Sequence, residues 1–288
     1  MELFPAIDSP VLQTEKGTRY LQCPGVVMIA MPQVYIGGMK TFLDGFDPAL
    51  QFPEYLNDDP LTPAEQLSKT AGQLCYMSFG PKRTKNADAQ KYFDNIKSSG
   101  HGSVLEHSNF SFLFYGISRS VTHELVRHRA GFGFSQVSQR YVSGSVVRFV
   151  ERPEYASNKE LHELFMRRID EAAAQYAAVT EKLLALQQSG QTILSADAKT
   201  DLRKKIQQAS RSLLPNETEA PIVTTANVRA WRHFIEMRAN PHAETEIRAL
   251  AFRVFECLQK SAPQLFHDYE VAHLSDGTQA VSVTWKKV

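Results

Sequence analysis

The chain has 288 residues, of which 43% are hydrophobic and 22% charged, so it can bury the core of one large domain or two modest ones. Its 32 Lys and Arg residues nearly balance its 31 Asp and Glu residues, and a net charge of +1 argues against the broad positive face that follows a nucleic-acid backbone. Cys23, Cys75 and Cys257 form no CxxC, which argues against a disulfide framework or a zinc knuckle. No apolar run approaches the roughly 20 residues of a membrane span, and no signal peptide is visible. We therefore expect a cytoplasmic protein with neither a membrane segment nor a nucleic-acid partner.

The predicted elements begin after a segment, 1–60, whose Pro, Gly and Asp content and weak periodicity indicate an irregular N-terminal arm ahead of a single domain at 61–288. Helical periodicity and capping signals predict helices at 63–76, 86–98, 118–129, 157–190, 198–214, 227–239 and 240–262, the last beginning with Asn240-Pro241 as N-cap and first turn. Alternation or short apolar runs predict strands at 108–115, 146–150, 222–225 and 281–285. Because strands and helices are segregated, an α+β fold is favoured over a doubly wound parallel sheet.

The segment from Arg127 to Tyr141 reads RHRAGFGFSQVSQRY and contains no acidic residue. Arginine is well suited to phosphate because its planar guanidinium makes paired hydrogen bonds and stays protonated. Arg127, Arg129 and Arg140 therefore predict a site for more than one phosphate. The alternative is a set of surface ion pairs, whose carboxylates would have to come from distant parts of the sequence. Phe132 and Phe134 are expected to pack in the core rather than to stack on bases.

A second cluster lies on the helix predicted at 227–239. Arg229 and His233 are four residues apart and share a face, whereas Arg238 is five residues beyond His233 and points elsewhere. If all three residues are functional, this helix serves two ligands or two chains.

Two catalytic alternatives fit the sequence poorly. His123 and His128 are spaced by five residues, which puts them roughly 140° apart on a helix, whereas the zinc-binding HExxH spacing leaves about 40°. We expect no metal site. Ser135 and Ser138 lie in no GxSxG motif and have no nearby orienting acid, so a serine nucleophile is disfavoured.

The two basic clusters together resemble the flavin-dependent thymidylate synthases. That family's signature is RHR, about seven residues, and then serine-x-Arg-Tyr, which stands here as Arg127-His128-Arg129, eight residues, and Ser138-Gln139-Arg140-Tyr141. Further blocks are similar to the family, namely Glu106-His107, 118–126, 211–215, 227–238 and 241–248, so the resemblance covers about 63–269.

The resemblance implies a fold with helices around an antiparallel sheet, in which 61–288 is the catalytic domain of a homotetramer with active sites between subunits. It implies a methyltransferase of nucleotide biosynthesis that converts deoxyuridylate (dUMP) to thymidylate (dTMP). The carbon donor would be 5,10-methylenetetrahydrofolate, and NADPH would supply electrons through FAD. The route needs no cysteine nucleophile. Bound nucleotide, dinucleotide and folate would all bring negative charge, which agrees with the arginine-rich segments.

The resemblance also implies roles for particular residues. The dUMP contacts would be Glu124, Leu125, Val126, Arg127, Gln136, Val137, Ser138, Gln139, Arg140, Arg211 and Arg238. The FAD contacts would be His107, Asn109, Arg127, His128, Arg129, Gln136, Asn227, Val228, Arg229 and His233, with His107 near the flavin or the folate ring. Arg238 matches the arginine that stabilises ionisation of the uracil ring at N3 and is the expected catalytic residue.

Two other classes of protein remain open at this point. A nucleotide phosphohydrolase would also use clustered arginines, but it would need acidic metal ligands, and the basic segment offers only Glu124. A nonenzymatic nucleotide- or RNA-binding protein would need no flavin.

Overall fold

The computed structural model describes residues 5–57, 61–141, 146–189, 194, 199–286 and 288. The strands are β1 (Ala6–Ile7), β2 (Leu12–Gln13), β3 (Arg19–Leu21), β4 (Gly25–Ala30), β5 (Asn109–Tyr115), β6 (Phe132–Gln136), β7 (Phe149–Val150), β8 (Ile222–Asn227), β9 (Tyr269–His273) and β10 (Gln279–Val283). The helices are α1 (Lys40–Asp44), α2 (Pro63–Tyr76), α3 (Ala89–Ser98), α4 (Arg119–Leu125), α5 (Pro153–Ala156), α6 (Lys159–Gln188), α7 (Lys199–Ser210), α8 (Val228–Arg238), α9 (Thr245–Ser261) and α10 (Pro263–Phe266). Short 3-10 turns include Asn86–Asp88, Gly102–Glu106 and Arg211–Leu213.

A five-stranded antiparallel sheet with the order β1-β4-β5-β8-β6 forms the centre of the fold. Its middle strand, β5, buries Phe110, Phe112 and Phe114 completely, as the alternating sequence predicts. The α+β class and the antiparallel sheet surrounded by helices are therefore confirmed. A separate sheet joins β2, β3 and β7, and β9 pairs with β10 in a hairpin.

The N-terminal segment differs from the predicted irregular arm. Its strand β4 pairs with β5 within the central sheet, and β1 pairs with β4 at the sheet edge. The sequence of β4, GVVMIA, is a continuous apolar run without alternation and therefore gives no period-2 signal, although Ile29 and Ala30 are exposed in the structure. Farther along, Leu43 and Phe79 form a small apolar cluster with the helical turns of 36–57.

The structure shortens α4 and adds a strand that the sequence did not predict. Helix α4 ends at Leu125 rather than Arg129, so the Arg127-His128-Arg129 triplet lies in the turn beyond the helix. Gly131 then adopts a φ of +76°, and β6 begins directly after it. The glycines of Gly-Phe-Gly-Phe obscured the strand in the sequence, although they produce a period-2 pattern. As predicted, Phe132 and Phe134 pack against the core, with ring centroids 5.6 Å apart.

The bounds of several other elements also differ from the prediction. Helix α9 is capped by Glu244 rather than by Asn240, which instead accepts a turn hydrogen bond from the amide of His242. Helix α6 is capped by Asn158, one residue after the predicted Ser157. The helices predicted at 86–98 and 198–214 each contain a 3-10 turn, at Asn86–Asp88 and Arg211–Leu213. The strand predicted at 146–150 is limited to β7 at Phe149–Val150, and the strand predicted at 281–285 is β10 at Gln279–Val283. Gly190 and Ala198, the predicted ends of two helices, lie outside the described residues. Helix α2 matches its predicted bounds.

Helix α8 packs across the sheet through Trp231. The indole ring is fully buried and meets Phe112 and Phe132 edge-on, with centroids 5.2 and 5.1 Å away. Its Nε1 donates to the carbonyl of Phe110 at 3.3 Å, so the buried polar atom is satisfied. None of the helices in the described part of the chain, including the 30-residue α6, combines the length and apolar character needed to cross a membrane.

A buried ionic network fixes the C-terminal hairpin to the helices. Asp268, just before β9, accepts hydrogen bonds from Lys97 of α3 at 2.9 Å and from both terminal nitrogens of Arg232 of α8 at 2.8 and 2.7 Å. All three side chains are nearly inaccessible to solvent. Burial lowers the pKa of Lys97 to about 8, although the adjacent Asp268 opposes this shift. Because one carboxylate compensates two buried cations, its charge is essential to the packing of α3, α8 and β9.

We predict that Asp268→Asn lowers the free energy of unfolding by about 3 kcal/mol or more, because it leaves Lys97 and Arg232 buried without their carboxylate. Urea unfolding at a fixed protein concentration measures the change. Asp44→Asn is the control, since it removes an exposed pair with Lys40 and should cost less than about 0.5 kcal/mol. Equal effects of the two substitutions would contradict the role given to Asp268.

Candidate functional site

One end of the central sheet brings together three polar residues expected to contact flavin. The register places Asn109 of β5 opposite Asn227 of β8. The Asn109 amide donates to the carbonyl of His107 at 3.0 Å, and the Asn227 side chain caps α8 by accepting from the amide of Ala230 at 2.9 Å. His107 and Asn109 are exposed. This end therefore presents polar side chains beside the positive end of the α8 dipole, where an anion is favoured.

The turn that carries the arginine triplet passes against the same end of α8. A Cβ atom on Gly131 would lie 2.8 Å from the Asn227 amide nitrogen and 2.9 Å from the Cβ of Ala230. A residue with a side chain would not fit at this position, and the positive φ also favours glycine. This close approach places the exposed Arg129, two residues earlier, near the start of α8.

Arg229, in the first turn of α8, is held by two partners. Its Nη1 donates to Glu106 at 2.6 Å, and its Nε donates to the carbonyl of the C-terminal residue Val288 at 3.1 Å. Its charge is therefore partly compensated within the chain.

The expected catalytic residue, Arg238, lies in a cluster with Glu124 and His128. Its Nη1 donates to Glu124 Oε2 at 2.8 Å, and its Nε donates to His128 Nε2 at 3.0 Å. Because Nε2 accepts this hydrogen bond, the imidazole proton is assigned to Nδ1. Burial, Arg238 and His233 lower the pKa of His128 to about 4, so the ring is neutral at neutral pH.

Two side chains of α8 reach the ring of His128. The centroid of His233 lies 6.0 Å away from it, while Arg238 bonds to its Nε2. Arg238 is predicted to point away from His233, but within one chain both side chains reach His128, which lies in the turn after α4. Arg229 has its partners elsewhere, at Glu106 and Val288.

The residues expected to bind the dUMP phosphate lie toward the opposite end of β8. Gln136 pairs with Ile222 in the register, and Ser138 organises a turn by accepting from the amide of Arg140 at 3.3 Å. The Arg140 guanidinium lies 5.5 Å from the ring centroid of Tyr141, and Lys204 of α7 lies 5.3 Å from the same ring. Lys204 was not predicted from the sequence, because only the fold brings α7 to this turn.

A cavity of about 330 Å³ adjoins this turn. Its lining includes Val137, Gln139, Leu214 and Pro221. The Gln139 amide nitrogen is buried and has no hydrogen-bond partner within the described part of the chain. The short turn Arg211–Leu213 leads directly into Leu214 and places half-buried Arg211 near this region.

Within one chain the expected site residues thus form three groups. The first is His107, Asn109, Asn227 and Arg229; the second is Glu124, His128, His233 and Arg238; and the third is Gln136, Ser138, Gln139 and Arg140. Five steps along β8 separate Ile222 from Asn227, which corresponds to about 17 Å between the first and third groups. Leu125 and Val228 are fully buried, so only their backbone atoms can contact a ligand, whereas Val126 and Val137 are partly exposed.

The site is strongly electropositive. Arg127, Arg129 and Arg140 are exposed, and no ion pair involves them in the region that the structure describes. The acids that could have neutralised them have other partners, since Glu124 pairs with Arg238 and Glu219 pairs with Arg148. The surface ion-pair alternative is therefore not observed, and the free guanidinium groups can bind anionic ligands.

A central antiparallel sheet with surrounding helices and unpaired arginines defines an α+β protein with an electropositive site. The family model described as thymidylate synthase complementing protein matches residues 59–264. The chain is 43% identical over 222 residues to the flavin-dependent thymidylate synthase of Corynebacterium diphtheriae, covering 77% of this chain and 85% of that protein. It is 44% identical over 216 residues to the flavin-dependent thymidylate synthase of Mycobacterium avium, covering 75% and 84%. The chain belongs to the flavin-dependent thymidylate synthase family.

A solved structure supports the fold. The crystal structure of a UMP/dUMP methylase, PolB from Streptomyces cacaoi, bound with 5-Br dUMP, aligns with a TM-score of 0.58 and 17% identity. The alignment covers 85% of this chain and 94% of that chain. The two proteins therefore share an overall architecture.

We predict that Arg238→Gln raises the pKa of His128 above its value of about 4, because the substitution removes a cation that disfavours the imidazolium form. NMR titration of the histidine ring protons measures the midpoint. Arg229→Gln is the matched control on the same helix and should leave the midpoint unchanged, since Arg229 bonds to Glu106 and Val288. An unaltered midpoint in Arg238→Gln would contradict the assigned contact.

Proposed function

We propose that this protein is an FAD-dependent thymidylate synthase, which methylates dUMP reductively to dTMP. The one-carbon unit comes from 5,10-methylenetetrahydrofolate, and NADPH is the reductant. The observation that carries the proposal is the set of exposed, unpaired arginines Arg127, Arg129 and Arg140, of which the first two flank His128 of the Glu124–Arg238–His128 cluster, in a chain of this family. A cytoplasmic location is part of the same proposal.

The first group of residues fits a flavin dinucleotide. Gly131 permits close backbone approach beside Asn227, the start of α8 favours negative charge, and Arg127 and Arg129 are free to meet a pyrophosphate. The residues that would hold FAD are His107, Asn109, Arg127, His128, Arg129, Gln136, Asn227, Val228, Arg229 and His233. When bound, FAD supplies the reducing electrons that it receives from NADPH.

The third group fits the nucleotide phosphate. Arg140 and Arg211 would bind the phosphate oxygens, with the cation of Lys204 nearby, and Ser138 would hold the turn between them. The cluster of Glu124, Leu125, Val126 and Arg127 with Gln136, Val137 and Gln139 would complete the dUMP site. These assignments rest on the matched motif and on the free donors of this turn.

Arg238 would act on the uracil ring. Its Nη1 and Nε are fixed by Glu124 and His128, so the guanidinium is oriented before substrate arrives, and no hydrogen bond from its Nη2 occurs in the part of the chain that the structure describes. A guanidinium stabilises negative charge that develops when the ring loses its N3 proton, without giving up its own proton. That charge raises the electron density at C5, the carbon to be methylated. The neutral state of His128 preserves its hydrogen-bond acceptor for Arg238.

We also propose that the active enzyme is a homotetramer with sites shared between subunits. In one chain the residues assigned to the dUMP phosphate and the first group of residues, assigned to flavin, are separated by about the length of β8. A second copy can bring the complementary groups together. Folate and NADPH would then enter at the same junction.

The functional test is the flavin spectrum followed by product formation. Protein mixed with FAD should show a bound-flavin spectrum that NADPH bleaches, more readily with dUMP present, and should form dTMP when the folate donor is added. Arg238→Ala should retain the flavin spectrum and lose about 100-fold or more of turnover, the scale of removing a transition-state hydrogen-bond donor.

Arg203→Ala serves as the control, because Arg203 is an exposed arginine of α7 outside the proposed site. It should keep both flavin binding and turnover. Protein that binds no FAD would refute the synthase proposal, and unchanged turnover of Arg238→Ala would refute the role of Arg238 alone.

Shared sites predict complementation between inactive variants. Arg238→Ala subunits and Arg229→Ala subunits should each be inactive, and their hybrids should regain dTMP formation, because some sites then combine intact residues from both chains. As the control, each variant alone is taken through the same subunit-exchange conditions and should remain inactive. Hybrids confirmed by mass spectrometry that remain inactive would contradict sharing of these two residues between subunits.

A further inference from the structure

The N-terminal end of α4 is bound by a buried carboxylate from another helix. Glu246 of α9 accepts a hydrogen bond from the backbone amide of Ser118 at 2.7 Å and another from the Ser118 hydroxyl at 2.8 Å. Ser118 is the N-cap of α4, and its Oγ also accepts from the amide of Val121 at 3.3 Å. Both Ser118 and Glu246 are about 3% exposed, so neither can replace these bonds readily with water.

The opposite end of α4 is held by the same stretch of chain. Glu124, in the last turn of α4, accepts from Arg238 at 2.8 Å. Arg238 ends α8, and Glu246 lies in the first turn of α9, so these two consecutive helices contact α4 at both of its ends. Six residues of helix, or about 9 Å, separate Ser118 from Glu124.

The first turn of α9 is itself anchored, so Glu246 is a fixed point. Glu244 accepts from the amides of Glu246 and Ile247 at 3.0 and 3.2 Å and pairs with Arg152. Arg248 donates to the carbonyl of Pro241 at 2.7 Å and pairs with Asp276. Movement of the first turn of α9 would require these contacts to break.

We propose that Glu246 is a positioning residue for the nucleotide site, because its two bonds to Ser118 fix the register of α4 and thereby set Glu124 against Arg238. Glu246 touches no reacting group in this assignment. The expected effect on dUMP binding rests on the proposed function. The effect of Glu246 on the contact between Glu124 and Arg238 does not depend on that function.

The charge of Glu246 is not required for this role. Burial and, more weakly, Glu244 raise the pKa of its carboxyl to about 7, against the hydrogen bonds from Ser118 and the charge of Arg152. The other titratable groups at the adjoining cavity are Cys23, Glu151, Arg253 and Glu256. A glutamine at 246 reproduces the protonated form, since its oxygen can accept from the Ser118 amide and its NH₂ can donate to Ser118 Oγ.

The test compares Glu246→Ala with Glu246→Gln. The alanine variant removes both acceptors and leaves the buried Ser118 amide without a partner, whereas the glutamine variant keeps two hydrogen bonds. Glu256→Ala is the matched control, because Glu256 lies on the same helix and lines the same cavity but makes no hydrogen bond to Ser118 within the described residues. All variants are first compared with the wild-type chain by circular dichroism.

Two readouts are independent of enzymatic activity. In Glu246→Ala, the amides of 118–125 should exchange with solvent about tenfold faster, and the NMR midpoint of His128 should rise from about 4 as Arg238 loses its alignment. Glu246→Gln and Glu256→Ala should match the wild type in both. A His128 midpoint that is unchanged in Glu246→Ala would overturn the proposal, as would a glutamine variant that behaves like the alanine variant.

The third readout is dUMP affinity measured by calorimetry. Glu246→Ala should weaken binding about tenfold, and Glu246→Gln should restore it to within about twofold of wild type. If the wild-type chain binds no dUMP, the proposed function fails while the His128 titration still tests the positioning role. Normal dUMP affinity in an alanine variant with a shifted His128 midpoint would refute the link from α4 to the nucleotide. If Glu246→Ala does not fold, Ser118→Ala replaces it and should shift the His128 midpoint in the same direction.

Discussion

The antiparallel pairing of β8 with both β5 and β6 is the constraint on which the rest of the site depends. Its register sets Asn109 opposite Asn227 at one end and Gln136 opposite Ile222 at the other. Because side chains alternate along a strand, a shift of one residue would turn the buried phenylalanines of β5 toward the wrong face. The apolar core therefore enforces the same register that positions the polar groups at the two ends of the sheet.

The distribution of charge explains how a nearly neutral chain maintains an electropositive site. Glu219, Glu246 and Asp268 are buried and committed to structural hydrogen bonds with Arg148, Ser118 and Arg232. Acids used in this way cannot approach the arginines of the turn after α4. The positive potential of the site thus results from where the acids are bound as much as from an excess of arginine.

The sequence predicted elements whose pattern is local. Helix α2 and the Phe-alternating strand β5 were identified because capping, periodicity and length all agree within a short window. The sequence does not predict β4, because its apolar run lacks alternation, or β6, because glycines occupy alternate positions of its pattern and obscure it. The arginines and the neighbouring motif residues were identifiable from the sequence. Contacts such as Arg238 with Glu124 were not, because 114 residues separate them and only the packing of α8 against α4 brings them together.

Helix α8 carries two different kinds of binding chemistry at its ends. Its first turn carries Asn227 and Arg229 at the positive end of the dipole, and its last residue, Arg238, places a cation at the negative end, where it is stabilised. An 11-residue helix is about 16 Å long, so these two ends cannot contact the same small group. The two ends of α8 therefore offer different chemistry at different places, and the proposed sharing of sites between subunits would bring the first turn of one α8 helix to the last turn of another.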